Sequence, residues 1–131
     1  MCIFCKIIAG EIPIYKVYED EKTLAFLDIK PITPGHTLVI PKKHYANLSE
    51  INDGELTDLI LAVKKICTLL MAKLNFTDYA IAENNGPLAG QSVSHIHFHI
   101  IPRPKEDNPY SWEHKEYKPG EAEEIIKKLQ S

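Results

Sequence analysis

Three histidines alternate with large apolar residues in the segment His95-Ile96-His97-Phe98-His99-Ile100. A period of two is typical of a β-strand with one face against the core, so the sequence predicts that the three imidazoles leave one face together, about 6.8 Å apart. Imidazole acts as nucleophile, proton carrier or metal ligand near neutral pH. A histidine-rich surface strand without a function is the alternative. Three imidazoles in register instead indicate that chemistry takes place on this strand.

A second group of possible ligands lies near residue 1, where two residues separate Cys2 from Cys5. No secretory segment precedes them, so this spacing favours metal or redox chemistry over a structural disulfide. A closed tetrahedral zinc site would require two further ligands. The third cysteine, Cys67, falls on the apolar stripe of a predicted helix, where a thiol is expected to fill the core.

The length and composition predict one compact domain over residues 1–131. The chain is 44% hydrophobic and 25% charged, with a formal net charge of -3. This weakly acidic balance gives no electrostatic reason to expect duplex nucleic acid or an anionic membrane as partner. No apolar run is long enough to cross a bilayer, and no targeting segment is evident, so the expected location is cytoplasmic.

Short strands joined by tight turns around one long helix predict a mainly antiparallel α+β domain. The long helix is indicated by apolar residues at steps of three or four and by acidic residues in its first turns. The predicted elements are a helical turn at 3–9, strands at 16–19, 23–27, 36–40 and 78–82, the long helix at 53–74, a polar loop at 86–92, the strand with the three histidines, and a last helix at 119–129.

Several separate segments carry a family resemblance, in one order along the chain. They are residues 2–8 (CIFCKII), 25–29 (AFLDI), 35–44 (GHTLVIPKKH), and 84–86 with 90–92 leading into 95–99. On these motifs the chain resembles the histidine triad (HIT) family of nucleotide hydrolases and transferases, over residues 2–103. The resemblance implies a HIT-like fold with a five-stranded antiparallel sheet, a long helix, and a homodimer across which the two sheets join.

The resemblance assigns the chemistry to three histidines. It implies that His97 attacks the α-phosphorus of a nucleotide and forms a nucleotidyl-histidine that water later resolves. It also implies that His99 donates a hydrogen bond to a phosphate oxygen and that His36 supports the cluster. The physical reasoning agrees, because a neutral imidazole has one unprotonated nitrogen, and a covalent intermediate divides one hard displacement into two easier ones. Its other nitrogen is expected to donate to a backbone carbonyl.

A phosphoryl centre also needs donors for its charged oxygens. Gly90, Gln91 and Ser92 are predicted to form a phosphate cradle, with close backbone approach at the glycine and side-chain donors at the other two. By resemblance, Asp28 matches the family position whose carboxylate binds the ribose hydroxyls, although the residues alone predict an aspartate in a turn. Asn84 resembles the family's asparagine on the phosphate and ribose side of the nucleotide, and without the resemblance it would be assigned as a loop cap. The apolar residues assigned to the nucleotide, which would otherwise be assigned to the core, are Ile3, Phe4, Ile7, Ile12, Phe26 and Ile29.

For the cysteines, the resemblance implies a structural zinc bound by Cys2, Cys5, His44 and His95. Four protein ligands leave no open position for substrate. A redox dithiol is the competing interpretation, but the motif lacks the strand-then-helix context of a thioredoxin-like fold. A catalytic zinc on the three histidines of the predicted strand would leave both cysteines unexplained.

The resulting functional prediction is a purine nucleotide hydrolase that cleaves nucleoside phosphoramidates or adenylylated amines at the α-phosphorus and releases AMP or GMP. Two alternatives stay open: a diadenosine polyphosphate hydrolase, and a nucleotide-binding interaction protein whose catalysis is incidental. The tail after Arg103 does not choose between the enzyme branches. Within it, Tyr110 and Trp112 are expected to close over the site or cover the dimer seam, and His114 is expected to be a solvated loop residue.

Overall fold

The structure is a computed structural model that describes residues 2–131. Five strands form one antiparallel sheet in the order β1-β2-β3-β5-β4. The strands are β1 (Lys16–Glu19), β2 (Thr23–Leu27), β3 (Thr37–Pro41), β4 (Tyr79–Glu83) and β5 (Phe98–Pro102), and the α-helices are α1 (Ile3–Ile8), α2 (Asp53–Leu74) and α3 (Glu121–Gln130). The predicted α+β class, the antiparallel sheet and the long helix are confirmed.

Helix α2 forms one wall of the main core. Its N-terminus is capped by Asn52, whose side chain accepts from the backbone N–H of Glu55, and it ends at Asn75 in the left-handed conformation. One stripe of the helix is buried against the sheet, at Leu59, Ala62, Val63, Ile66, Cys67 and Leu70. Cys67 therefore lies in the core, as predicted. None of the described helices has both the length and the apolar composition that crossing a bilayer needs.

The opposite face of the sheet carries a second, smaller core. There α1 places Phe4 against apolar residues of strands β2 and β3, namely Leu24, Phe26, Leu38 and Ile40. Since β2 and β3 are buried on both faces, their side chains alternate between the two cores. The short helix α1 is thus the element that covers the side of the sheet where the candidate site lies.

The strand prediction for the three histidines was too long. The chain bends at Val93–His95, where the His95 N–H donates to the Val93 carbonyl (2.8 Å). The N–H of the following residue, Ile96, donates to the Tyr45 carbonyl (2.7 Å) rather than to a neighbouring strand. Of the three alternating histidines, only His99 therefore lies within β5. The alternation of burial persists through the bend, because Ile96 still packs into the core with α2.

Candidate active site and metal site

A cavity of about 680 Å³ opens on the face of the sheet that α1 covers. Its lining is mostly apolar and includes several polar side chains. The predicted site residues that line it are Ile3, Phe4, Ile7, Ile12, Phe26, Asp28, Ile29, Asn84, Gly90, Ser92, His97 and His99. Further lining residues, which the sequence did not single out for this role, include Ile14, Leu38, Ala82, Val93 and His114. Trp112, which was expected to close over the site or cover the dimer seam, lines the cavity as well. Most of the predicted nucleotide contacts thus share one cavity.

His97 is held in one tautomer. Its Nδ1 lies 2.8 Å from the His95 carbonyl, which can only accept, so Nδ1 carries the proton and Nε2 keeps its lone pair. Burial lowers the pKa of His97 below the ordinary 6.5, and the Phe4 ring packs edge-on against the imidazole at 5.1 Å. The result is a neutral imidazole with an available nitrogen in the cavity.

His36 and His99, called here the imidazole pair, form a hydrogen-bonded chain. The Ile32 N–H donates to His36 Nδ1 (3.0 Å), so His36 Nε2 carries the proton and donates to His99 Nδ1 (2.9 Å). His99 must then carry its own proton on Nε2. Burial, reinforced by the neighbouring imidazoles, lowers the pKa of His36 to about 3 and that of His99 to about 4.

The two cavity histidines are therefore complementary. The rings of His97 and His99 lie 5.0 Å apart, one offering a lone pair and the other an N–H. A nucleophile beside a hydrogen-bond donor is the pairing that displacement at an anionic phosphoryl group requires. His36 does not line the cavity; it sets the tautomer of His99 from behind.

Asp28 and Asn84 each combine a loop role with a place in the cavity. The Asp28 carboxylate accepts from the Lys30 N–H (2.9 Å), which closes a turn, and its other oxygen lies 3.7 Å from His36 Nε2. Burial raises the pKa of this carboxyl. Asn84 donates to the Ala89 carbonyl (2.8 Å), a loop cap. The structural and the nucleotide-facing interpretations are compatible at both residues.

The predicted phosphate cradle is only partly in the cavity. Gly90 follows the 3₁₀ turn Pro87–Ala89 with φ +90°, a conformation that favours glycine, and together with Ser92 it lines the cavity. Gln91 does not. Its amide accepts from the Gly86 N–H (2.7 Å) and donates to the Ala46 carbonyl (2.6 Å), so this side chain holds the loop together. The prediction of Gln91 as a phosphate donor has the right loop but the wrong side-chain direction.

Cys2, Cys5, His44 and His95 converge on one point, although they come from three distant segments. The six separations between their sulfur and Nδ1 atoms lie between 3.1 and 3.6 Å. A tetrahedral zinc with Zn–S of about 2.3 Å and Zn–N of about 2.0–2.1 Å needs edges of roughly 3.3–3.8 Å. His95 Nε2 donates to the Pro41 carbonyl (2.8 Å), which leaves Nδ1 unprotonated for a metal. The donor types and their convergence fit zinc, and a bound ion would need the two sulfurs, 3.2 Å apart, to separate by about 0.5 Å.

The metal site and the cavity share α1 and His95. The Cys2 sulfur caps α1 by accepting from the Cys5 N–H (3.2 Å), and Phe4, between the two cysteines, contacts the rings of both His95 and His97. The His95 ring points to the thiols and away from the cavity. The structure therefore does not bring the three triad histidines to one metal, as the catalytic-zinc alternative would need.

Two further cavity residues come from the tail. The Trp112 ring lies edge-on to His99 at 5.8 Å, and the His114 ring stacks on His36 at 6.3 Å. His114 is exposed, as expected, but it also lines the cavity, so its assignment as a solvated loop residue was incomplete. Of the two tail residues expected to close over the site or cover the dimer seam, Trp112 lies at the cavity, whereas Tyr110 is 92% exposed and does not line it.

Comparison with known proteins identifies the family to which the chain belongs. Residues 9–106 match the family model described as the HIT domain, so the chain belongs to the HIT family. It is 53% identical over 129 residues to an uncharacterised HIT-like protein of Methanocaldococcus jannaschii, covering 98% of each chain. It is 49% identical over 109 residues to an adenosine 5'-monophosphoramidase of Candida albicans, covering 80% of this chain and 72% of that protein.

Solved structures show the same fold. A hypothetical histidine triad nucleotide-binding protein of Sulfolobus tokodaii superposes with a TM-score of 0.89 at 38% identity, covering 98% of this chain and 89% of that one. A zinc-bound histidine triad family protein of Mycobacterium smegmatis superposes with a TM-score of 0.84 at 33% identity, covering 98% and 93%.

Proposed function

We propose that the protein is a purine nucleotide hydrolase that acts at the α-phosphorus of nucleoside phosphoramidates or adenylylated amines and releases AMP or GMP. The observation that carries this proposal is the pairing of the free Nε2 of His97 with the Nε2–H of His99 in one cavity. The adenosine 5'-monophosphoramidase of Candida albicans, a relative at 49% identity, supports the choice of reaction.

In the proposed mechanism His97 Nε2 attacks the α-phosphorus while the bond from phosphorus to the leaving amine breaks, and the amine nitrogen takes up a proton from solvent water. His99 Nε2–H donates to a non-bridging oxygen, where negative charge develops. The His95 carbonyl stabilises the positive charge that His97 gains, through the Nδ1–H. Water then attacks phosphorus and gives up one proton to solvent, the bond to His97 Nε2 breaks, and the nucleoside monophosphate leaves with His97 again neutral.

The charge of the cavity favours a substrate with one phosphoryl group over a polyphosphate. Among the described residues that line it there is no lysine or arginine, and the carboxylate of Asp28 is the acidic group. A chain of several phosphates would lack the counter-charges that usually bind it. The apolar side chains of the lining, which include Phe4 and Phe26, suit a purine ring, and the Asp28 carboxylate can accept from ribose hydroxyls.

The testing experiment is an assay of the purified protein on adenosine 5'-monophosphoramidate and on diadenosine polyphosphates. We expect kcat/KM to be at least about tenfold higher for the phosphoramidate, a difference of about 1.4 kcal/mol in transition-state binding. The opposite order would favour the dinucleotide hydrolase, and turnover of neither would favour the interaction protein.

The pH profile gives a second test. Burial lowers the pKa of His97 below 6.5, and it lowers those of His36 and His99 to about 3 and about 4, so the three imidazoles are neutral at pH 6.5 and above. We expect kcat to remain constant from pH 8 into the mildly acidic range and to fall on an acid limb whose midpoint lies below 6.5. An acid limb at or above 6.5, in protein folded by circular dichroism, would contradict the lowered pKa of the buried nucleophile.

The lowered pKa values of His36 and His99 also determine how the free energy of unfolding changes with pH. The folded pKa values of His36 and His99 lie below the unfolded value of 6.5, so below that pH the unfolded state binds more protons. The free energy of unfolding should therefore decrease as the pH falls from about 6.5 towards 3 to 4. Circular dichroism at each pH separates this loss from the chemical step.

We further propose that Cys2, Cys5, His44 and His95 hold a structural zinc. A bound ion there would add folding free energy and leave no open position for substrate. The convergence of the donors supports this, as does the zinc-bound relative of Mycobacterium smegmatis. Thiolate ligands need reduced cysteines, which agrees with a cytoplasmic location.

A homodimer built on the sheet edge completes the proposal. Strand β4 ends the sheet, with one edge unpaired within the described chain, and its side chains Tyr79 and Ile81 are 40% and 42% exposed. Such an edge pairs readily with a second copy. Light scattering should give the mass of two chains for the wild type and of one chain for Ile81→Asp, whereas a monomeric wild type would contradict the dimer.

A further inference from the structure

Residues 104–118 join β5 to α3 without regular structure and are called here the C-terminal strap. The strap is anchored at its start. The Arg103 guanidinium, at the end of β5, donates to the carbonyls of Ser111 (3.0 Å) and Pro109 (3.3 Å) and lies 3.5 Å from the Asp107 carboxylate. These contacts bend the strap back and place Trp112 beside the cavity.

The second half of the strap is bound to the loop at 28–36, which ends in His36. Three hydrogen bonds make this attachment: His114 Nδ1–H to the Lys30 carbonyl (2.5 Å), Lys115 N–H to the Pro31 carbonyl (2.8 Å), and Gly35 N–H to the Tyr117 hydroxyl (3.2 Å). The bond that fixes the His36 tautomer comes from Ile32, between these anchor points. The strap therefore braces the backbone that orients His36.

The strap also covers the imidazole pair with two rings. Trp112 meets His99 edge-on (5.8 Å, 73°), and His114 lies nearly parallel to His36 (6.3 Å, 27°). Within the pair, His36 is fully buried and His99 is 8% exposed. Each member thus has one strap ring against it and the other member as its hydrogen-bond partner.

We propose that Trp112 and His114 are positioning residues that hold the imidazole pair in the arrangement in which His99 presents Nε2–H to the phosphoryl group. The inference rests on the proposed function. Its physical reason is that a neutral imidazole has two tautomers. If the contact between His36 and His99 loosened, His99 could carry its proton on Nδ1, and Nε2 would then direct a lone pair at an anionic oxygen. The donor would become a source of repulsion.

The test compares Trp112→Ala and His114→Ala with Tyr110→Ala, a strap residue that is 92% exposed and serves as the control. We expect kcat for adenosine 5'-monophosphoramidate to fall about tenfold to a hundredfold in the first two, with KM changed by less than about threefold. Trp112→Phe should recover most of the rate, since it restores a ring edge against His99. The control should behave as the wild type.

Nitrogen-15 spectra of the imidazoles supply a readout that a general loss of stability would not move. In the unliganded wild type, His99 should show a protonated Nε2 and an unprotonated Nδ1, and the alanine variants should show a mixture of tautomers. A rise in KM with unchanged kcat and an unchanged His99 spectrum would overturn the proposal and make the strap a substrate contact. His114→Ala, at an exposed residue, keeps the test decisive if Trp112→Ala does not fold.

The spectra also separate the two proposals. If the wild type turns over no phosphoramidate but the tautomer of His99 responds to the strap variants, then the proposed function fails and the positioning role stands. If turnover is present and neither kcat nor the spectrum responds to either variant, the positioning role fails alone.

Discussion

His97→Asn is expected to reduce turnover of adenosine 5'-monophosphoramidate by at least about a thousandfold, while the affinity for AMP stays within about threefold of the wild type. The asparagine amide can donate to the His95 carbonyl as Nδ1 of the imidazole does, so the local backbone keeps its partner. It has no nucleophilic nitrogen. The groups proposed to bind base and ribose come from α1, β2 and the Asp28 turn, and the substitution leaves them in place.

Rapid acid-free quenching and mass spectrometry of the wild type should detect a nucleotidyl adduct on His97, and His97→Asn should show none. Calorimetry with AMP checks that binding persists, and circular dichroism checks the fold. An adduct on His99 or another residue would refute the assignment of the nucleophile. Residual turnover of more than about a tenth of the wild-type rate would show that no covalent step at His97 is needed.

The sequence predicted the elements best where local chemistry and periodicity agree. Helix α2 has the predicted bounds. Its apolar stripe runs through the helix interior, and its cap at Asn52 and the left-handed Asn75 lie directly at its two ends. The strand at the histidines was too long, because alternating burial does not require sheet hydrogen bonds. The Ile96 N–H is satisfied by Tyr45, far away in sequence, and no local pattern reveals that.

In the candidate site, too, local sequence predicted some features, while others depend on contacts between distant segments. Residue types and spacing indicated chemistry at the alternating histidines and a two-cysteine ligand pair. The nucleophilic role of His97 was assigned only by resemblance, and so was the metal role of His44, which 39 residues separate from Cys5. Side-chain direction was not predictable for Gln91, whose amide completes a loop. Trp112 and His114 reach the cavity through backbone anchors in an irregular strap, so their place depends on tertiary contacts alone.

Loss of the zinc site is expected to be the most damaging change to the fold. Cys5→Ser should abolish stoichiometric zinc, lower the melting temperature by more than about 10 °C and weaken AMP binding about tenfold. Helix α1 has only six residues, too short to be stable by itself, and both cysteines hold it at its first turn. Phe4 lies between them and forms part of the cavity wall, so freeing α1 should loosen the nucleotide pocket directly.

Cys67→Ser is the matched control, since it makes the same atomic change on the buried face of α2. It should lower the melting temperature less and retain one zinc per chain by elemental analysis. Wild-type protein that is free of metal yet equally stable would refute the structural ion. Brief chelation distinguishes the last alternative: a structural zinc predicts that activity is lost only in step with the melting temperature and AMP affinity. Activity lost while the melting temperature and the AMP affinity stay unchanged would instead make the ion catalytic. Two features oppose that role: four protein donors leave no open position on the ion, and the His95 ring points to the thiols and away from the cavity.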